Sequence, residues 1–220
     1  MPARTRLAIL PVACLIASCG ALPQGSGQPQ RTATQTYTPS AEQRQCLADL
    51  GKTNAAFSPL PDRYFGAGCS TTNTVQLSAL ASDYRQLQVT NLGPVACPLA
   101  NTFAAWARYG VDRAAREILR SGLARIETMG SYSCRNVAGT SRRSAHSTGD
   151  AIDVAAFVLD DGRRISLSGQ WSVGSEAERR FLRVVHASAC KRFGTVLGPD
   201  YNAAHRDHFH LETRGGSFCR

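Results

Sequence analysis

Two short stretches of this chain hold most of the side chains that can do chemistry. The first, "HRDHFHLE" at 205–212, puts three of the chain's 5 histidines within six residues. If it is extended, His208 and His210 point to one face, because side chains in a strand alternate with period two. Two imidazoles on one face begin a zinc site. The second, "SAHSTGDAID" at 144–153, adds His146 and Asp153. Asp153 opens an apolar, β-prone run, "IDVAAFVL", where a carboxylate needs a partner and a cation would serve. Two His and one Asp, with a fourth position left to water, form the donor set of a catalytic zinc site. The competing reading is a surface cluster of His205, His208 and His210, with Asp153 capping a turn.

The elements that must position these residues follow from local signals. "SAEQRQCLADL" reads as a short helix with Ser40 as N-cap and Glu42 in its first turn. Residues 53–96 are punctuated by Pro and Gly and read as loops and short strands, among them "TNTVQL" and "QLQVT". "CPLANTFAAWARYG" and "VDRAAREILRSG" read as two helices, with Asp112 capping the second and Gly122 ending it. "LARIETMG" reads as a strand. "AIDVAAFVL" and "RRISL" flank Asp-Gly and read as a hairpin. "SEAERRFLRVVHASACKRFG" is predicted to be a helix with a Ser175–Glu178 capping box, stopped by Gly194. "TVLG" and "HFHLE" complete the strands. Helices and hairpins mix without βαβ alternation, so the expected class is α+β, with a small, mostly antiparallel sheet carrying the metal site between flanking helices.

Composition and the first residues set the context. The chain has 220 residues and a net charge of +9, carried by Arg with only Lys52 and Lys191 as lysines. Such an excess suits an anionic partner. "MPARTR" is a basic start, and "LAILPVACLIA" is an apolar run too short to span a bilayer. It leads into "IASC", a lipobox-like end. The expectation is a lipoprotein signal at 1–18, lipidation of Cys19, a Gly/Pro/Gln/Ser/Thr-rich tether at 19–40 and a domain at 41–220. The implied address is the periplasm, anchored at the outer membrane, with no transmembrane helix in the mature chain. Nucleic-acid binding is disfavoured in an exported chain. Beyond Cys14 and Cys19 remain Cys46, Cys69, Cys97, Cys134, Cys190 and Cys219, an even set that predicts three disulfides. The pairing stays open, with Cys46–Cys69 attractive as a short local loop. No CxxC pair occurs, which argues against a zinc-thiolate site.

The stretch 144–153 fits S-x-H-x-x-G-x-A-x-D at every fixed position. Together with the later HxH, it resembles the metal motif of the LAS metallopeptidases, the group of lysostaphin, D-Ala-D-Ala metallopeptidases and the hedgehog domain. "SYSCR", "SAHSTGDAIDVAAFVLDDGR", "FLRVVHASAC", "FGTVLGPDYNAAHRDHFHLE" and the terminal "CR" resemble the bacterial extensin-like C-terminal domain family, over nearly all of the folded part. The resemblance implies a Zn2+ site of His146, Asp153 and His210 and hydrolysis of amide bonds in peptidoglycan peptides, by an endopeptidase or a carboxypeptidase. It implies Asp207 as the base on the metal-bound water, with His208 as the competing candidate that the sequence leaves open. It implies Ser144 and Gly149 as supporting turn positions, and Tyr132 with Arg135 as substrate-binding residues, Arg135 toward a carboxylate. The alternative is a zinc-containing cell-wall binding module without turnover.

The anchor has its own test. Cys19→Ala is expected to yield unlipidated protein that no longer fractionates with membranes. Unchanged membrane association would refute the lipobox.

Overall fold

The structure is a computed structural model that describes residues 39–220. The expected signal segment, Cys19 and all but the end of the expected tether lie outside the described residues. No helix among the described residues is long and apolar enough to cross a membrane.

Helix α1 (Ala41–Lys52) starts at Ser40, whose hydroxyl accepts from the Gln43 N–H while the Gln43 side chain accepts from Ser40 N–H. Strands β1 (Ala56–Pro59), β2 (Arg63–Gly66), β3 (Cys69–Thr71), β4 (Thr74–Ala81), β5 (Gln86–Thr90) and β6 (Val95–Ala96) follow, then α2 (Cys97–Trp106). After β7 (Leu123–Gly130) come the hairpin β8 (Ala151–Leu159) and β9 (Arg164–Ser166), α3 (Leu167–Val173), α4 (Glu176–Cys190), β10 (Thr195–Leu197), β11 (Phe209–Glu212) and β12 (Phe218–Cys219). The class is α+β. The main sheet runs β1-β4-β5-β7-β8-β11-β10-β12, with β6 on β4 and β9 on β8. It is mostly antiparallel, with parallel pairs β5–β7 and β10–β12. Strands β2 and β3 form a separate hairpin.

Alternation divides the central strands. Ile152 and Val154 of β8 and Phe209 and Leu211 of β11 are buried in the core with Trp106, Phe157 and Phe181. Trp106 donates its indole N–H to the Val185 carbonyl at 3.2 Å, which fixes α2 against α4. Helix α4 carries the Ser175–Glu178 capping box and ends at Cys190, ahead of Gly194.

Three expectations need correction. The region 97–119 is one continuous helical run, not two helices: past Trp106 it widens into π-helical turns at Ala107–Asp112 and Ala115–Leu119. Asp112 is therefore no cap. It is fully buried inside the run, where its carboxylate accepts from Leu123 N–H (2.8 Å) and from Arg116 (3.0 Å). The run ends at Arg120, which takes the left-handed conformation (φ 60°), rather than at Gly122. Gly122 serves close packing, since a Cβ there would lie 2.3 Å from the Arg116 guanidinium.

The cysteine pairing, left open by the sequence, is also decided. Three disulfides form, but Cys46 pairs with Cys97, Cys69 with Cys134 and Cys190 with Cys219. The local Cys46–Cys69 loop fails because α1 packs on α2, which faces Cys46 toward Cys97. Helix α3 and strand β12 carry no strong local signal and emerge only in the assembled fold.

Asp112 gives a stability test. Asp112→Ala would leave a buried N–H without an acceptor and a half-buried Arg without its partner. The expected loss is about 2–4 kcal/mol in denaturant unfolding. A loss below about 0.5 kcal/mol, the size of an ordinary surface substitution, would contradict this role.

Candidate metal centre

Strand pairing assembles the site. In the β8–β11 ladder, His210 lies directly opposite Asp153. Directly opposed residues have Cβ atoms about 4.5–5.5 Å apart, close enough for side chains to meet. His146 arrives from a 3-10 turn, Ala145–Thr148. Ser144 opens that turn, its hydroxyl accepting from His146 N–H, and Gly149 closes it in the left-handed conformation (φ 69°). A Cβ at Gly149 would also be tight, 3.1 Å from the Pro94 carbonyl oxygen.

The three side chains converge below the surface. His210 Nδ1 is 2.8 Å from Asp153 Oδ1. His146 Nε2 is 3.1 Å from Asp153 Oδ2 and 3.2 Å from His210 Nδ1. All three residues are buried, and their inward atoms form a group able to hold a metal ion. A second cluster, His186 with Cys190 and Cys219, has both sulfurs committed to a disulfide.

The outward nitrogens decide which atoms face the centre. A carbonyl oxygen only accepts, so His146 carries its proton on Nδ1 and donates it to Ser131 O at 2.8 Å. His210 donates Nε2–H to Glu212 Oε1 at 2.6 Å. His208 donates Nδ1–H to Asp207 Oδ1 at 2.9 Å, with its Nε2 3.7 Å from Asp153 Oδ1. In their neutral forms, His146 and His210 thus aim lone pairs at one carboxylate. Acceptors crowded together in a buried place need a cation. Acceptors behind the imidazoles are the usual support of metal-ligating histidines.

Without a metal, protons take the cation's place. Burial disfavours a charged His210, but its hydrogen bonds to Asp153 and Glu212 outweigh burial and raise its pKa to about 9. Burial likewise works against the Asp153 carboxylate, yet His146 and His210 hold it below the usual carboxylate range. His205 behaves oppositely: burial first, then His208 and His210, lower its pKa to about 4, with Arg135 adding to the effect. His205 Nδ1 lies 2.8 Å from Asn202 Oδ1, outside the ligand group.

Above the centre lies a cleft of about 690 Å³ whose walls include Asp153, His208, His210, Arg135, Arg142 and Tyr201. Arg135 is brought to the cleft. Tyr132 is not among its lining residues; its ring packs on Phe65 with centroids 5.5 Å apart. Asp207 lies behind His208 because β11 begins only at Phe209, so alternation does not turn it away. Sequence reasoning missed Ser131, Glu212 and Arg142. A signal existed for Glu212: it stands two residues after His210 in a strand, hence on the same face.

The extensin-like protein C-terminus family matches residues 44–220. No curated protein and no solved structure matches the chain.

The protonation of His210 gives a measurable consequence. Its raised pKa keeps it protonated below about pH 9, so a metal must displace that proton, and affinity should climb as pH rises toward 9. Calorimetry of zinc uptake at pH 7.5, in buffers of different ionisation enthalpy, is expected to show about one to two protons released per zinc, one from His210 and the rest from the water the zinc would bind. Uptake without proton release would contradict the assignment of His210.

Proposed function

The chain belongs to the extensin-like protein C-terminus family, and from that premise we propose that it is a zinc-dependent peptidase cutting amide bonds in peptidoglycan peptides. The observation that carries the proposal is the convergence of His146 Nε2, His210 Nδ1 and the Asp153 carboxylate, with both outward imidazole nitrogens satisfied. This is a His2Asp donor set under an open cleft, as catalytic zinc sites require. The resemblance of the two motifs to LAS metallopeptidases supports the same reading. Bound there, zinc would supply a water of pKa about 7 and polarise the scissile carbonyl.

The protein's own groups do the rest. His208 presents Nε2 toward the site because Asp207 holds its Nδ1–H. Nε2 is then the atom that accepts the proton of the attacking water, and Asp207 stabilises the imidazolium that forms. The same Nε2–H can return the proton to the leaving amine. Of the two candidate bases, His208 thus acts directly and Asp207 acts through it. Arg135, on the cleft wall, is available to a substrate carboxylate.

Peptidoglycan suits the remaining features. Removing Arg4 and Arg6 with the signal leaves 23 basic against 16 acidic side chains, a charge that attracts a carboxylate-rich polymer. Three disulfides suit an oxidising compartment outside the cytoplasm. Export and the lipid anchor at Cys19 belong to the same proposal.

Digestion of purified sacculi, with zinc and with chelator, is expected to release peptide products only with zinc, and their masses identify the bond. Alanine at His146, Asp153 or His210 should remove metal and activity together. His208→Ala should keep zinc and lose about 10²–10⁴-fold in rate, with a smaller loss for Asp207→Asn. A folded, zinc-loaded protein that releases nothing from sacculi would leave the binding-module alternative in place of catalysis.

A further inference from the structure

Between Cys134 and Ala145 the chain doubles back as a small two-stranded ribbon. Ser144 N–H donates to the Arg135 carbonyl at 3.1 Å, and Val137 N–H donates to the Arg142 carbonyl at 2.9 Å. Asn136 and Arg143 form an antiparallel bridge between them. Successive pairs in such a ladder face opposite sides. Arg135, Val137, Arg142 and Ser144 therefore share one face, and all four line the cleft above the metal centre. Asn136 and Arg143 share the other face, where Arg143 donates to Asn136 Oδ1 at 2.9 Å and to the Ala67 carbonyl of the β2–β3 hairpin. The Cys69–Cys134 disulfide ties the foot of the ribbon to the same hairpin. The cleft face is thus held from behind at two points.

Arg135 and Arg142 are diagonal neighbours on that face. Diagonal neighbours lie about 7–8 Å apart, within reach of long side chains, and like charges on one face of a ladder repel. Arg85, Arg108, Arg113 and Arg164 each close on a carboxylate elsewhere, whereas neither cleft guanidinium has a side-chain partner among the described residues. Two unpartnered guanidiniums on a braced wall want an anion between them, and their planar forks match a carboxylate.

We infer that Arg135 and Arg142 form a two-guanidinium carboxylate clamp, with Arg142 as a specificity-determining residue, so that the substrate is a peptide bearing a free carboxylate near the scissile amide. The inference rests on the peptidase reading for the word substrate, and on the ribbon alone for the clamp. The carboxylate has two sources, a C-terminal α-carboxylate or an acidic side chain.

The test uses the zinc-loaded full chain carrying His208→Ala, to slow turnover. Binding is measured by NMR titration with an N-acetylated tetrapeptide holding one side-chain carboxylate and a free C-terminus. Its C-amidated, side-chain-amidated and doubly amidated forms complete the set. Arg142→Gln is expected to weaken binding of the parent peptide about 10–100-fold. Arg142→Lys should recover part of the loss, because it keeps the charge without the fork. Arg180→Gln, on the exposed side of α4, removes the same charge elsewhere and should change nothing. Amidating the carboxylate that the clamp holds should cost intact protein at least the same factor and cost Arg142→Gln protein, which keeps only Arg135, clearly less, which names the source. Equal binding of all four peptides, or an Arg142→Gln loss as large for the doubly amidated form, would overturn the clamp. Hydrolysis by protein with His208 intact separates the two readings. Arg142-dependent binding with no cleavage keeps the clamp and removes the peptidase. Cleavage of acidic and doubly amidated peptides at equal kcat/KM, unchanged by Arg142→Gln, keeps the peptidase and removes the clamp.

Discussion

Three hydrogen-bond acceptors aimed at one buried point make the most demanding interaction in this protein. Left alone, the lone pairs of His146 and His210 and the Asp153 carboxylate repel one another and lack water. A cation relieves both costs, and in its absence a proton shared with His210 relieves part of them. Side chains avoid such an arrangement unless the backbone imposes it. Here the β8–β11 register does so by setting Asp153 opposite His210. Strand β8 lies between β7 and β11, paired on both edges, so it cannot slide to ease the strain.

The force that holds this register is hydrophobic. The two strand residues of the centre alternate with apolar ones that face the core: Asp153 stands between Ile152 and Val154, and His210 between Phe209 and Leu211. Fully burying a side chain of this kind stabilises by about 1.5–3 kcal/mol. A slip by one residue would exchange the two faces and lose that burial at every position. The polar centre therefore depends on the apolar half of the same strands.

His146 needs a separate anchor, since it comes from a turn. Its turn is fastened to the entry of α2, where Ala96 N–H donates to the Gly149 carbonyl at 2.9 Å. Ser131, whose carbonyl holds the His146 ring, also donates its hydroxyl to the Pro94 carbonyl at 2.9 Å. The same strand-to-turn segment leads into the disulfide at Cys134 and then the arginine ribbon. The candidate metal centre and the cleft wall are thus braced against a common part of the scaffold, beside His146, Asp153 and His210.

Much of this was legible in the amino-acid order. The Ser40 and Ser175 caps, the Asp-Gly hairpin and the strand at 123–130 follow from rules that act over a few residues. So does the spacing that marked His146, Asp153, His208 and His210 as candidates, among which the family resemblance pointed to His146, Asp153 and His210. The rest depended on contacts between distant parts of the chain. Asp112 resembles a helix cap locally, but burial against the start of β7 carried the helix past it. Cys46 had a nearby candidate partner in Cys69, yet helix packing delivered Cys97. Which imidazole nitrogen faces inward was decided by Ser131 and Glu212, and Arg142 reached the cleft through the pairing of the ribbon. Local order determined most of the elements and which residues can do chemistry. Only the tertiary structure decided which atoms meet, because strand register and helix packing are settled by burial over the whole core.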